Sequence, residues 1–334
     1  MSYLHCVTLQ DACAACSCKP VETGELQINR WTRHPAVDDR HGKRSVSIIA
    51  FSFDRGLVWN WRTDVHAVYG SQKVELVHAE KLRRPSDSGS IKLDQLEAAK
   101  RARTILSEGK EWETVPEIFK QKAITSLPSM PIFALSAAQL REFGCKGIPL
   151  TGQLLVVVPI YGIRQGQLQV QSVQIIGPTF KRFLVHGRKK AGLWMTDYIG
   201  DSPARLGVCE GVATALSVRE LFQKEAGLTS VCAAFDAGNL FAVCEVLRRQ
   251  WPTTEIVVFS DNDCPLSDRR IDQISEGNVG AIKALKACRM ANGIFHMPVF
   301  YEESLRIYRL LHGLEKLPTD WNDWAQILKN KEMQ

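Results

Sequence analysis

The sequence lacks any long uninterrupted apolar run. No apolar stretch approaches the ~20 residues that a helix needs to cross a bilayer. The first residues, MSYLHCVTLQ, also lack the basic start and long apolar centre of a signal peptide. These absences exclude a membrane-spanning class, and we expect a cytoplasmic protein with no membrane partner.

The sequence also lacks a strong excess of charge of one sign. It has 42 Lys and Arg against 36 Asp and Glu among 334 residues, and the net charge of +6 is divided evenly between residues 1–128 and 129–334. This balance excludes a basic tail and makes local clusters the informative feature. The densest cluster is FKRFLVHGRKK at 180–190. It is typical either of a solvated hairpin edge or of a phosphate-binding surface, and charge alone leaves both interpretations open.

Paired cysteine motifs are scarce, although the chain has ten cysteines. Most lie inside apolar segments, where a thiol behaves as a small hydrophobic group. Cys13 and Cys16 have the two-residue spacing of a zinc knuckle, but no second close Cys or His pair follows at a usual distance. We therefore expect reduced packing residues and no structural zinc at Cys13, Cys16 and Cys18.

An apolar content of 45% and a charged content of 23% are typical of a globular protein. Residues 26–62 alternate with period two around a turn at Asp54, Arg55 and Gly56, which predicts a small antiparallel sheet. Trp59 and Trp61 share one face of it, and we interpret them as core residues in preference to a platform for stacked bases.

These patterns predict three domains. A β-rich N-terminal domain covers 1–75, a helical, charged connector covers 76–128, and a larger unit covers 129–334. Beyond residue 205, short apolar runs alternate with helical segments of 12 to 15 residues. This alternation predicts an α/β fold with a parallel sheet flanked by helices, in which ligands collect at the carboxyl ends of the strands.

Acidic residues follow two of the predicted strands. Glu210 ends RLGVCE, and Asp261 and Asp263 directly follow EIVVFS. Strand-end acids often only cap the next helix. An acid-glycine corner combined with a second Asp-x-Asp strand end instead favours a shared divalent cation, because three close carboxylates repel one another strongly. Ligands made only of oxygen select Mg²⁺ or Mn²⁺ over zinc.

The motifs resemble those of TOPRIM-domain primases from conjugative plasmids and satellite phages. EGVATA at 210–215 is similar to the EGYATA motif of that family, with Val212 in place of the aromatic residue. The other matching segments follow in the family's order: FKRFL, AAFDAGNL, FSDND, NVGAIKA and TDWNDW. The zinc-ribbon spacing of related primases and the GxxxxGK[ST] motif of helicases are both missing, so we expect any helicase to be a separate protein.

The resemblance implies a TOPRIM-like catalytic domain at 129–334 and a function for it. The expected activity is the synthesis of short RNA primers from NTPs on single-stranded DNA, for replication of a mobile element. The resemblance assigns Glu210 as a catalytic or metal-binding acid and Asp261 and Asp263 as Mg²⁺ ligands.

Several further residues are candidates for binding or support. The basic residues expected to meet nucleotide or DNA phosphates are Lys181, Arg182, Arg188 and Lys189. Asn239 fits either a substrate contact or a helix N-cap. TDWNDW fits a helix start, with Asp320 as the cap and Trp321 and Trp324 packed inward, or a pair of helper acids at Asp320 and Asp323.

Two rival functions use the same residues. A TOPRIM nuclease would activate water against a phosphodiester with the same acids. A catalytically silent nucleic-acid-binding module would keep the fold and bind only structural Mg²⁺.

Overall fold

The structure is a computed structural model that describes residues 4–28, 30–39, 42–70, 88–223, 226–263, 278–313 and 315–332. In the helix that begins at residue 88, side chains are described from residue 93 onward. Residues 1–87 and 88–334 form two compact units. The part of the predicted connector from residue 88 onward therefore belongs to the second unit. The predicted boundary at residues 75 and 76 lies outside the described residues.

The first unit is built on a five-stranded sheet. Its strands are β1 (Leu4–Cys6), β2 (Trp31–His34), β3 (Val46–Ser52), β4 (Arg55–Asn60) and β5 (Val65–Tyr69). Their order is β1-β5-β4-β3-β2; β1 is parallel to β5, and the other neighbours are antiparallel. Helix α1 (Leu9–Ala15) starts at Thr8, whose hydroxyl accepts a hydrogen bond from the Asp11 N–H at 3.1 Å. The predicted small antiparallel sheet is present.

The turn between β3 and β4 starts one residue and ends two residues earlier than the sequence predicts. It lies at Phe53 and Asp54, and Arg55 and Gly56 already belong to β4. Gly56 is required by close strand packing, since a Cβ there would lie 2.3 Å from the carbonyl oxygen of Ile49. A glycine that relieves a close approach was mistaken for a turn glycine.

The cysteines of the first unit lie in its core. Cys13, Cys16 and Cys18 are buried with the apolar residues of α1 and the sheet. The Cys16 thiol donates to the carbonyl of Val58 at 3.5 Å, and burial raises the pKa of Cys16 to about 11. All nine cysteines that the structure describes are free. These three thiols therefore act as small packing groups.

The second unit begins with an antiparallel sheet covered by a helix. Its strands, in the order β10-β9-β8-β7-β6, are β6 (Lys110–Glu111), β7 (Phe133–Leu135), β8 (Leu155–Arg164), β9 (Gln167–Gly177) and β10 (Phe180–Phe183). Helix α2 (Ser88–Glu108) packs Ala98, Ala102 and Ile105 into the same buried cluster as Val173 and Ile175 of β9. Two short helices follow, α3 (Glu117–Lys120) and α4 (Ala137–Glu142).

A second sheet of this unit carries the strand ends that matter for function. Its strands are β11 (Trp194–Met195), β12 (Arg205–Cys209), β13 (Ser230–Ala233), β14 (Glu255–Phe259) and β15 (Ile294–His296). The order is β11-β13-β12-β14-β15, with β12 to β15 parallel and β11 antiparallel at the edge. The helices are α5 (Val212–Phe222), α6 (Leu240–Gln250), α7 (Val279–Ala291), α8 (Glu302–His312) and α9 (Trp321–Glu332).

The mixed α/β class and the parallel sheet flanked by helices are confirmed. One large core joins this sheet to the antiparallel sheet, with Val208, Val258 and Trp194 fully buried beside Val158 of β8. None of the helices in the described residues is long and apolar enough to cross a membrane.

Candidate active site

Acidic residues converge at one edge of the parallel sheet. Cys209 of β12 pairs with Ala233 of β13 and with Phe259 of β14, so these three strands end level with one another. The acids that follow them, together with two acids at the start of α9, form what we call the acid cluster. Its members are Glu210, Asp236, Asp261, Asp263, Asp320 and Asp323.

Glu210 stands between the buried end of β12 and the first turn of α5. Gly211 is the N-cap of that helix in an extended conformation, so the chain turns at the acid as the sequence predicts. Burial and the charges of Asp236 and Asp263 raise the pKa of Glu210, although the Ala237 N–H donates to its carboxylate and Lys181 opposes the rise. The Glu210 carboxyl therefore lies in a field that disfavours its negative charge.

Asp261 is surrounded by other carboxylates. Its Oδ1 atom is buried and has no hydrogen-bond partner among the described residues. Burial, followed by the charges of Asp320, Glu210 and Asp263, raises the pKa of Asp261 well above its usual range. A buried carboxylate oxygen without a donor calls for a proton or a cation.

The segment that carries Asp261 and Asp263 is fixed through the residue between them. The Asn262 N–H donates to the carbonyl of Thr319 at 2.6 Å, and its side-chain amide donates to the carbonyl of Pro298 at 3.1 Å. Asp263 lies over the start of α7, where a Cβ on Gly280 would be 3.1 Å from its Oδ2 atom. A glycine at 280 thus leaves room for the Asp263 carboxylate.

Both interpretations of TDWNDW describe part of the structure. Asp320 Oδ1 accepts a hydrogen bond from the Asp323 N–H at 2.9 Å and so caps α9, and Trp321 packs into the core. Asp323 accepts from the Tyr308 hydroxyl at 2.9 Å. Both acids also lie close enough to Asp261 to raise its pKa. The helix start therefore contributes two carboxylates to the acid cluster.

Two of the four predicted basic residues lie beside the acids. Lys181 opposes the raised pKa of Glu210 by its charge, and Lys189 forms an ion pair with Asp236. Arg182 lies next to Gly147, on the other side of β10 from Lys181. Arg188 lines a separate cavity with Arg103 of α2 and residues of the β8-β9 hairpin. A nucleic-acid contact by either arginine stays a prediction.

Asn239 occupies the N-cap position of α6 and has a structural role that the sequence did not suggest. It is 4% exposed, and its side chain makes no capping bond to α6. Its amide donates to the carbonyls of Lys189, Gly192 and Ala234 at 2.8 to 3.1 Å, and its oxygen accepts from the Ala191 N–H at 2.8 Å. Asn239 thus holds the backbone of Lys189 beside the acid cluster. A substrate contact by Asn239 stays a prediction.

A cleft of about 500 Å³ opens beside the acid cluster. It lies against the first turn of α5 and is lined by Lys122, Lys181, Lys316, Tyr308 and Asp323. The charge of Lys122 also opposes the raised pKa of Asp320. The cleft thus places several ammonium groups next to carboxylates, which suits a ligand with both phosphate groups and a bound cation.

Sequence reasoning missed Asp236, Lys122, Lys316 and Tyr308. Asp236 could have been found, since it follows a predicted strand within the quoted AAFDAGNL segment, as Glu210 follows another. The other three come from loops and a helix far away in the chain. The packing of α9 on α5 and of α8 on α9 brings Tyr308 to the site, and Asn322 of α9 holds the backbone of Lys122 there.

The donor chemistry of the acid cluster fits Mg²⁺ or Mn²⁺. All its side-chain ligands are oxygen atoms, and the orphaned Oδ1 of Asp261 lies among like charges. In the described ranges, which omit 264–277, no three His, Cys, Asp or Glu side chains are close enough together to form a ready-made metal site. A hard cation that completes its coordination with substrate phosphates remains compatible with this arrangement.

Comparison with known proteins gives related sequences of one kind. No family model matches the chain. A DNA primase TraC of Escherichia coli is 27% identical over 305 residues, which cover 87% of this chain and 26% of that protein. A second DNA primase TraC of Escherichia coli is 28% identical over 219 residues, covering 64% and 14%. The chain thus spans about a quarter of the length of the first relative.

Solved structures give a weaker likeness. The primase fragment of the bacteriophage T7 primase-helicase protein aligns over 83% of this chain and 89% of that one, at 13% identity and a TM-score of 0.35. The sequence relatives confirm the predicted resemblance to DNA primases, and the chain is similar to one segment of those longer proteins.

Proposed function

We propose that the chain is the polymerising part of a DNA primase, which joins NTPs into short RNA primers on single-stranded DNA. One observation carries the proposal: six acidic residues, including Asp261 with a buried oxygen that has no donor among the described residues, lie near one sheet edge beside a lysine-lined cleft. The sequence relatives of this chain are named as DNA primases, which supports the same activity.

The acid cluster would hold the divalent cation. We assign Asp261 and Asp263 as its carboxylate ligands and Glu210 as a third acid that holds a second ion or accepts a proton from the attacking hydroxyl. When bound, Mg²⁺ would neutralise charge on the triphosphate and polarise its α-phosphate. The Ala237 N–H fixes the Glu210 carboxylate, and Tyr308 fixes Asp323 through its hydroxyl.

The lysines of the cleft would bind the phosphates. Lys122, Lys181 and Lys316 line it, and an ammonium group neutralises a phosphate oxygen as a point charge. Lys189 is paired with Asp236 and is not among the residues that line the cleft. We assign Lys189 to the product or template strand, because it lies beside the acid cluster but outside the cleft.

Primer synthesis tests the proposal directly. Full-length chain is incubated with a panel of single-stranded templates, labelled NTPs and Mg²⁺ or Mn²⁺, and the products are separated on a denaturing gel. We expect short, template-dependent ribonucleotide products, reduced at least about 100-fold by Glu210→Gln. The matched control is Glu245→Gln, which changes a half-exposed carboxylate of α6 that pairs with Arg249 at 3.2 Å.

The outcome separates the rival functions. Scission of the template without ribonucleotide incorporation would show a nuclease and reject the proposal. Template binding by the wild-type chain without synthesis or scission under any metal would show a silent binding module. Equal synthesis by the Glu210→Gln variant and the wild type would remove Glu210 from the mechanism.

A further inference from the structure

A second basic surface lies in the first unit, along the edge strand β2. It is a cleft of about 700 Å³, which we call the edge cleft. Its cationic lining residues are Lys19, Arg30, Arg33, Lys43 and Arg44. Two acids also line it, but the Asp39 carboxylate already accepts hydrogen bonds from Ser45 and Arg62. The edge cleft is therefore strongly positive in a chain whose overall charge is nearly balanced.

Planar side chains form a continuous row on the face of this sheet opposite α1. The rings of His66 and Trp59 lie 5.1 Å apart at 15°, and those of Trp59 and Trp61 lie 5.6 Å apart at 16°. The guanidinium carbon of Arg33 lies over the Trp61 ring, 3.1 Å from the ring centroid. Arg33 can extend across β3 to Trp61 because the residue opposite it on β3 is the small Ser47.

Arg33 joins the row to the cleft. It is exposed, it lines the edge cleft, and its guanidinium group lies over the Trp61 ring. A guanidinium plane can stack with a nucleobase on one side while cations beside it meet phosphates. Bases are accessible for such stacking in a single strand and are enclosed in a duplex. A row of planar groups beside a basic cleft is thus suited to single-stranded nucleic acid.

We propose that the first unit binds single-stranded nucleic acid in the edge cleft, with phosphates against Arg44 and Lys43 and a base stacked on Arg33. The proposal rests on the proposed function only in that the bound strand would be the template. The site lies in the unit that does not contain the acid cluster. Binding there requires neither NTPs nor a divalent cation.

Fluorescence anisotropy of a labelled 30-nucleotide single strand tests this site, with the full chain and without NTPs or divalent ions. Arg44 lines the edge cleft together with His34, whose pKa is lowered by burial and by the charge of Arg44. We expect Arg44→Glu to weaken binding at least about tenfold and to reduce the slope of log affinity against log salt. The matched control is Arg55→Glu, which reverses an exposed charge of the same unit outside the edge cleft.

A second variant tests the stacking. Arg33→Lys keeps the charge but removes the plane, so we expect weaker binding with an unchanged salt slope. Circular dichroism melts establish that each variant is folded. Equal losses from Arg44→Glu and Arg55→Glu, no binding by the wild type, or equal affinity for duplex DNA would each overturn the proposal. The binding assay does not depend on primer synthesis. Its result therefore tests the edge cleft even if the chain makes no primers.

Discussion

Asp261 shows how a single residue can be unfavourable for stability and suited to function. Its buried Oδ1 atom has no donor among the described residues, and its neighbours are other carboxylates. A folded protein accepts such a charge at a cost of a few kcal/mol unless a cation compensates it. The arrangement is therefore typical of a ligand site, in which binding relieves repulsion that the folded chain maintains.

Asp39 of the first unit shows the opposite arrangement. Burial tends to raise its pKa, but donors outweigh burial: the Ser45 hydroxyl, the N–H groups of Ala36 and Ser45, and Arg62 together hold the pKa below its usual range. Its side chain is 1% exposed, whereas that of neighbouring Asp38, which also pairs with Arg62, is 64% exposed. The two adjacent carboxylates differ in burial while sharing a partner.

We predict that Asp39→Asn lowers the free energy of unfolding at pH 7 by about 2 kcal/mol, because buried N–H donors lose a charged acceptor. The folded pKa is depressed, so this stabilisation is present above the unfolded pKa of about 4 and is lost as pH falls through the folded pKa. Urea denaturation of the full chain at pH 7 and pH 3 measures both effects.

Asp38→Asn serves as the control for that experiment. It removes an exposed ion pair with the same arginine, for which we expect a loss of less than about 0.5 kcal/mol. Equal losses from the two substitutions, or an Asp39 effect of the same size at both pH values, would show that the donors around Asp39 do not supply the stabilisation.

The local sequence was sufficient to identify the acids at the strand ends. It was not sufficient to identify the residues that surround them in the fold. Glu210, Asp261 and Asp263 follow apolar runs, and parallel strands bring such ends to one edge. Lys122 gave no signal, because it follows a four-residue helix some 90 residues before Glu210. The structural role of Asn239 gave no signal either, since its four backbone partners depend on how residues 189–192 fold.

At the scale of elements, the alternation beyond residue 205 was predictable because each buried parallel strand needs a continuous apolar run and each crossover needs a helix. The helical segment after residue 76 was harder to place. From Ser88 its helix buries small residues against β9, which a charged surface pattern conceals. Whether a helix connects units or belongs to one depends on its packing partner.

Helix α9 supports the site through Asn322. This residue is 1% exposed, and its side-chain amide donates to the carbonyl of Lys122 and to the Ser217 hydroxyl of α5, each at 2.8 Å. One amide therefore connects α9 to α5 and to the loop that carries Lys122. The start of the same helix supplies Asp320 and Asp323 to the acid cluster.

We predict that Asn322→Ala lowers the free energy of unfolding by about 2 kcal/mol, because the Lys122 carbonyl and the Ser217 hydroxyl lose a buried donor. Since Lys122 is also released, the KM for NTPs in primer synthesis should rise more than kcat falls. The control is Asn330→Ala, whose amide donates within α9 to the carbonyl of Gln326 at 2.9 Å. A change in KM as large in the control would contradict the positioning role of Asn322.

At the scale of the whole molecule, the chain combines two compact units with different surfaces. The first unit carries the edge cleft, and the second carries the acid cluster and its lysine-lined cleft. The division at residue 87 follows from separate buried cores, which composition alone does not reveal. The aligned parts cover only 26% and 14% of the two named relatives, so the proposals concern this segment alone.

Binding of Mn²⁺ to the full chain, followed by electron paramagnetic resonance of the free ion, tests the central claim most directly. If carboxylates at the sheet edge share a divalent cation, the wild-type chain binds Mn²⁺ and Asp261→Asn weakens its affinity at least about tenfold, whereas Glu245→Gln leaves it unchanged. A wild-type chain that binds no Mn²⁺, or an Asp261→Asn variant that binds it as tightly as the wild type, would contradict the account.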